Sequence, residues 1–189
     1  MRLILASASP RRAELLASAG FDFEVVPADV DESVLIAEPP AVYALRVATA
    51  KATSIAQTRR DPQDVILAAD TVVVARGEIL GKPADAREAA AMLRRLSGAV
   101  HDVLTAVVLA HDRQLHSDVV TTRVHFALMS EEEIEWYVAS GEPDGKAGAY
   151  AIQGRAARFI DRIEGSWSNV VGLPIATVHR LLKAAPVRD

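Results

Sequence analysis

The chain contains no cysteine, and that one absence excludes disulfides, thiolate-held metals, iron–sulfur clusters and a cysteine nucleophile together. It also lacks an excess of positive charge: the net charge is −4, with lysine and arginine spread along the sequence rather than gathered. The electrostatic footprint of a duplex-DNA or RNA binder is therefore missing. Aromatic residues make up only 5%, too few to build the stacking platforms that hold single-stranded nucleic acid. The N-terminal stretch MRLILASASPRRAELL has a brief apolar start followed by two arginines, too short for a signal peptide core or a bilayer span. It reads as a first strand. No nucleic acid and no membrane are expected as partners, and a cytoplasmic location is expected.

What is present is the balance of an ordinary globular protein, with 50% hydrophobic and 24% charged residues in a chain of 189. That length suits a single domain over 1–189, or one domain with a cleft between two lobes. The pattern of elements is mixed α/β, without repeats or linkers.

Met1 to Ala6 is a short apolar run, after which Ser9 as N-cap and Pro10 at the first helical position open a helix that closes at Gly20. Phe23 to Val26 reads as a second strand and ADVDES as an acidic loop. Pro39 and Pro40 open an alanine-rich helix running to about Thr58 and carrying Lys51. VILAADTVVVA, from Val65 to Ala75, reads as a buried strand interrupted by Asp70. Arg76-Gly77 turns it back. Asp85 and Glu88 have the spacing of a capping box for a helix ending at Gly98, as do Ser130 and Glu133 for EEEIEWYVASG. Residues 101–110 and 114–127 read as antiparallel neighbours joined around His111-Asp112-Arg113. The glycine-rich stretch from Glu142 to Gly154 is irregular, and a strand from Arg158 to Ile163, a loop and a helix from Pro174 to about Ala184 complete the chain.

Two places stand out chemically. SASPRR sets Arg11 and Arg12 in the first turn of a helix, where exposed N–H groups and partial positive charge favour a bound phosphate. Arginine opposes the helix dipole there at roughly 0.3–1 kcal/mol each. Either the two answer an anion or they are solvated surface side chains. Asp70, set in an apolar strand, must meet a cation, a metal or hydrogen-bond donors, because a buried lone carboxylate is prohibitive; the plainer alternative is a strand-end residue capping a turn. Lys51 and Lys82 taken singly read as solvated lysines, and Asp29, Asp31 and Glu32 as an acidic turn that could supply a metal ligand. GEILGKP is not a phosphate-binding P-loop: three residues separate its glycines, and Pro83 stands where a Ser or Thr would be needed. No H-E-x-x-H or G-x-S-x-G pattern is present, so zinc and serine hydrolase chemistry have no footing.

Seven segments in order, LILASASPRRAELL, the Lys51 helix, AADTVV, GEILGKP, LSGAVHDVLTAVVL, DGKAGAYAIQG and NVVGLP, span nearly the whole chain. Together they resemble the Maf family of nucleotide pyrophosphatases, once described as septum-formation inhibitors. The resemblance implies an elongated mixed sheet with flanking helices, similar to the inosine triphosphate pyrophosphatase fold, with a nucleotide cleft between two lobes. It implies a homodimer that uses Mg²⁺ or Mn²⁺ and cleaves a nucleoside triphosphate to the monophosphate and pyrophosphate. The family's general base or metal-bound carboxylate falls on Asp70, a further acidic site residue and metal ligand on Glu32, and phosphate-binding positions on Ser7, Ser9, Arg12, Lys51 and Lys82.

At three positions the chain resembles the branch acting on dTTP and UTP: Arg11, Thr71 and Gln153 stand where the 7-methyl-GTP branch typically has Trp, Gln and Glu. Neutral Thr and Gln can pair with a uracil-type edge, whereas a carboxylate suits a cationic methylated guanine. Ala8 and Ala151 are mild departures at variable positions. The rival expectations are a pyrophosphatase for modified purine nucleotides and a non-enzymatic regulator of cell division.

Overall fold

The computed structural model describes residues 1–59 and 61–185. Seven strands, β1 (Arg2–Leu5), β2 (Phe23–Val25), β3 (Asp64–Ala75), β4 (Glu78–Leu80), β5 (Val100–His111), β6 (Gln114–Phe126) and β7 (Ile160–Glu164), pair in the order β2-β1-β3-β5-β6-β7, with β4 on β3. Among the described residues six α-helices accompany them: α1 (Pro10–Ser18), α2 (Pro40–Thr58), α3 (Ala86–Leu96), α4 (Glu131–Ala139), α5 (Trp167–Val171) and α6 (Ile175–Ala184). The expected mixed α/β architecture is what forms. No helix among the described residues is long and apolar enough to cross a membrane.

The chain divides into two compact units. The first comprises Met1–Asp70, Thr105–Val120 and the residues from Gly172 onward. Here β1 runs parallel to both β2 and β3, with Leu3 opposite Phe23 and Val65. Parallel strands covered on both faces carry near-continuous apolar runs, and Leu3, Ile4 and Leu5 and Val65 to Ala69 are all buried. Helix α2 buries Tyr43, Ala44, Val47, Ala48, Lys51, Ala52 and Ile55. That stripe has helical spacing, and Lys51 sits inside it.

The second unit comprises Thr71–Leu104 and Thr121–Val171. In it β3 turns through Arg76 (φ 53°) and Gly77 (φ 81°) into antiparallel β4, with Val73 opposite Leu80. Helix α3 packs on α4 and on a 3-10 turn at Ala147–Ala149, and buries Ala89, Met92, Leu93 and Leu96. In the first unit, β5 and β6 are joined by the two-residue turn Asp112-Arg113, both at positive φ, a connection available only to antiparallel neighbours.

Strand β3 forms as expected, running through Asp70 with the carboxylate inside its buried run. Three details differ from expectation. The Asp85–Glu88 box is half formed: Asp85 accepts from the Glu88 amide, but the Glu88 side chain takes the Ala84 amide instead. At Ser130 and Glu133 both halves are present. The expected strand from Arg158 begins later, since Arg155–Phe159 is a 3-10 helix that buries Ala156 and Phe159, and the loop before the last helix contains α5.

Candidate active site

The end of β3 that lies in the first unit brings three charged side chains into one buried group. Asp70 is 7% exposed, Lys51 7% and Arg12 9%. Lys51 reaches Asp70 from the buried face of α2, its Nζ donating to Oδ1 at 2.8 Å. The same ammonium pairs with Glu32 Oε1 at 2.6 Å, so it stands between two carboxylates. Burial pushes the Asp70 carboxyl above its ordinary range, Lys51 and Arg12 work against that rise, and Glu32 adds to it. Asp70 is thereby a better proton acceptor than a solvated aspartate while its charge stays compensated.

Arg12 is not a solvated surface arginine. Its Nε donates to the Gly172 carbonyl at 2.9 Å, and its NH1 donates to the Ala69 carbonyl at 2.8 Å and to Ser7 Oγ at 3.2 Å. Desolvation lowers its pKa, countered by the attraction of Asp70; the guanidinium remains charged. Arg12 thus ties the start of α1 to the residue preceding Asp70 in β3. Ser7 Oγ also accepts from the Ser9 amide at 3.2 Å, which shapes the SASP turn. Ser9 is the N-cap, Pro10 holds the first helical position, and no acidic residue lies in the first turn of α1. The helix start therefore presents N–H groups, the positive end of the dipole and half-buried Arg11 without an internal carboxylate to neutralise them.

Glu32 lies on a loop, and α2 holds that loop in place. Tyr43 Oη donates to the Glu32 carbonyl at 2.8 Å. Arg46 donates twice to Glu38, at 2.7 and 2.8 Å, and to the Ser33 carbonyl at 2.8 Å. Asp31 closes the turn on Ser33. Burial, with the charges of Asp70 and Glu32, pushes the Tyr43 phenol up to about 12, so it stays a donor. Tyr43 and Arg46 were not singled out in the sequence. The signal for Tyr43 is its place eight residues before Lys51 on one stripe of α2; Arg46, half-buried, leaves none.

Of the residues singled out, the first unit gathers Ser7, Ser9 and Arg12 through one set of hydrogen bonds and Glu32, Lys51 and Asp70 through another, the two meeting where Arg12 donates to the carbonyl of Ala69, next to Asp70 in β3. Asp29 forms no part of that network, and Asp31 enters it only through Ser33. Thr71, Lys82 and Gln153 belong to the second unit. Thr71 follows Asp70 in β3, Lys82 is exposed between β4 and α3, and Gln153 is exposed in the turn before Arg155. The Gly148 amide donates to the Gly81 carbonyl at 3.0 Å, linking the glycine-rich stretch to the GKP turn.

No three His, Asp or Glu side chains converge as a metal cage among the described residues. Mg²⁺ does not require one. It takes one or two carboxylates and fills its shell with water and substrate phosphates, a demand that the Glu32 and Asp70 pair around a single cationic position fits.

In fold, the chain is similar to the Ham1 protein of Staphylococcus aureus, with a TM-score of 0.56 at 14% identity over 97% of this chain and 99% of that one. In sequence, it is 53% identical to a dTTP/UTP pyrophosphatase of Anaeromyxobacter dehalogenans strain 2CP-1, over 97% of this chain and 94% of the relative. It is 52% identical to a dTTP/UTP pyrophosphatase of Hahella chejuensis, over 96% and 91%, and 51% identical to one of Geotalea uraniireducens, over 96% and 93%. The family model described as Maf-like protein matches residues 2–185, and with these relatives over nearly its whole length the chain belongs to the Maf family.

Proposed function

We propose that this protein is a nucleoside triphosphate pyrophosphatase that hydrolyses dTTP and UTP to the monophosphate and pyrophosphate. The names of the relatives support the substrates. The observation that carries the chemistry is Asp70 held in a buried strand by Lys51 at 2.8 Å.

Asp70 binds Lys51 through Oδ1, which leaves Oδ2 to receive a proton from water. The water oxygen attacks the α-phosphorus, the bond from that phosphorus to the bridging oxygen breaks, and pyrophosphate departs with the bonding electrons. A divalent cation held by Glu32 and Asp70, Mg²⁺ or Mn²⁺, would supply Lewis-acid stabilisation of phosphate oxygens. Lys51, Lys82, Ser7, Ser9, Arg12 and the start of α1 supply positive charge and N–H or O–H donors for the triphosphate. Arg11, Thr71 and Gln153 bear on the base. A cytoplasmic location and assembly as a homodimer belong to the same proposal, and sedimentation of the purified chain tests the second.

The deciding experiment is pyrophosphate release with Mg²⁺ across dTTP, UTP, the other common triphosphates and 7-methyl-GTP, with Asp70→Asn in parallel. dTTP and UTP are expected to be the best substrates, and the variant to lose at least about 10²-fold in turnover. Unchanged turnover would remove Asp70 from its role; preference for 7-methyl-GTP would replace the substrate assignment.

A further inference from the structure

The second unit contains a hydrogen-bond relay made by two residues that take no part in the phosphate site. Tyr137, in the last turn of α4, is fully buried. Its hydroxyl donates to Glu142 Oε1 at 2.8 Å and accepts from the Ala151 amide at 3.2 Å. The Glu142 carboxylate accepts in turn from the Arg155 amide at 2.9 Å and the Ala156 amide at 3.3 Å, the first N–H groups of the 3-10 helix Arg155–Phe159. Burial works to raise the Glu142 carboxyl, but these amide and phenol donors outweigh it and hold it below its ordinary range. The carboxylate is therefore a charged, multiply bonded anchor, and such bonds are stronger than neutral ones.

The relay grips both ends of one short turn. Between Ala151 and Arg155 lie Ile152, Gln153 and Gly154. The Gly154 amide closes the turn on the Ala151 carbonyl at 3.0 Å, Ile152 is buried, and Gln153 is exposed at the apex. A Cβ on Gly154 would meet the Glu142 carboxylate, so glycine there lets the turn approach its anchor without displacing it. Arg158, in the following 3-10 helix, stacks over the Trp136 ring at 4.3 Å, fixing the far side to α4 again. A five-residue loop in a glycine-rich stretch is thus held at both ends, and the exposed polar side chain at its apex is Gln153.

We propose that Tyr137 and Glu142 are positioning residues for nucleotide selectivity, acting through Gln153 by holding the turn that presents it. This rests on the assignment of Gln153 to the nucleobase. A glutamine amide offers one acceptor and two donor hydrogens in a plane, and its discrimination depends on where its Cα is held. An error of about 1 Å in a positioning group can cost a large part of its effect.

The test compares Tyr137→Phe, Glu142→Gln and Gln153→Ala for steady-state hydrolysis of UTP and GTP, with thermal unfolding of each. Tyr137→Phe removes one oxygen, and Glu142→Gln keeps shape and one acceptor. Each is expected to raise KM for UTP and lower its selectivity over GTP about tenfold, the value of one or two lost hydrogen bonds, with kcat changed less than about twofold. Gln153→Ala should show the same signature, and Tyr137→Phe with Gln153→Ala should be no worse than Gln153→Ala alone. A relay that merely stabilises the fold would lower the unfolding temperature and leave selectivity intact. If Gln153→Ala loses selectivity while the other two keep it, or if the losses add in full, the positioning role is overturned. If Gln153→Ala itself keeps selectivity, the assignment of Gln153 falls and the proposal with it. Should a variant not fold, amide exchange in the wild-type protein decides: Ala151, Arg155 and Ala156 must be protected, and rapid exchange there overturns the relay.

Discussion

The Lys51 ammonium lies 2.8 Å from Asp70 and 2.6 Å from Glu32, one positive charge shared by two carboxylates of unequal burial. With only a tenth of the Asp70 side chain exposed and two-fifths of the Glu32 side chain, the two pairs cannot have equal worth. The Glu32 arm is screened by water and contributes little. The Asp70 arm is sheltered, and cutting one partner from a buried pair leaves the other charge without compensation.

Lys51→Met should therefore destabilise the protein by roughly 3–5 kcal/mol, the usual cost of breaking a buried pair from one side. Adding Asp70→Asn should return part of that loss by removing the stranded charge. Urea denaturation of the wild type, both single variants and the double variant measures it. A double variant no more stable than Lys51→Met would show that the ammonium serves Asp70 less than it serves packing.

Tyr43→Phe separates the placing of Glu32 from its chemistry. The phenol hydroxyl donates to the neutral Glu32 carbonyl at 2.8 Å, and phenylalanine keeps the ring over which the Arg46 guanidinium sits at 5.4 Å, so loss of the hydroxyl should cost about 1 kcal/mol in stability. Activity should suffer more than stability, because the Glu32 backbone would lose its tie to Tyr43 while the neighbouring Arg46 bonds and the Lys51 ion pair remain. Higher Mg²⁺ or Mn²⁺ should be needed for half-maximal turnover. Equal metal dependence in variant and wild type would remove Tyr43 from any part in the site.

How far the sequence foretold this arrangement differs residue by residue. Asp70 was legible because a carboxylate inside an apolar strand has to be compensated. Lys51 was legible too, although read singly it passed for a solvated lysine: with Tyr43, Val47 and Ile55 it follows the apolar stripe of α2, where a solvated lysine has no place. By local pattern alone, without the family resemblance, Arg12 was not distinguishable from Arg11. Both sit in the same helical turn, and what buries one of them is a pair of carbonyls 57 and 160 residues away, a relation that local pattern does not carry. The first halves of the chain's elements were readable to within a residue or two, since proline, serine and glycine mark their ends. The 3-10 helix at Arg155–Phe159 was hidden because Arg158 and Phe159 suit a strand edge equally well, and its cap, Glu142, lies outside the capping-box spacing.

Arg12→Lys tests whether charge or shape matters at that position. Lysine keeps the positive charge but has no planar fork to serve the Ala69 and Gly172 carbonyls and Ser7 together. The expected loss is about 2 kcal/mol in stability, from buried acceptors left without donors, with turnover falling as Asp70 loses its fixed neighbour. Thermal unfolding and pyrophosphate release measured on the same preparation check both. Full stability with reduced turnover would assign Arg12 to substrate alone.

The second unit carries a pH dependence of its own. His101 is 3% exposed, its Nε2 lies 2.8 Å from Tyr150 Oη, and its ring meets Phe126 and Tyr150 edge to face. Burial, with a smaller contribution from His125, lowers its pKa from 6.5 to about 4. Between those values the unfolded chain binds a proton at His101 that the folded chain refuses. Stability from this group is therefore complete above pH 6.5 and falls as the pH drops toward 4, to a total on the order of 3 kcal/mol. Only part of that appears by pH 5, where carboxylates still titrate little. Urea midpoints for the wild type should decline from pH 7 to pH 5, and His101→Gln, which cannot take up the proton, should show a flatter profile at lower overall stability. An unchanged slope in the variant would mean that another group refuses the proton, and that the His101, Phe126 and Tyr150 cluster serves packing alone.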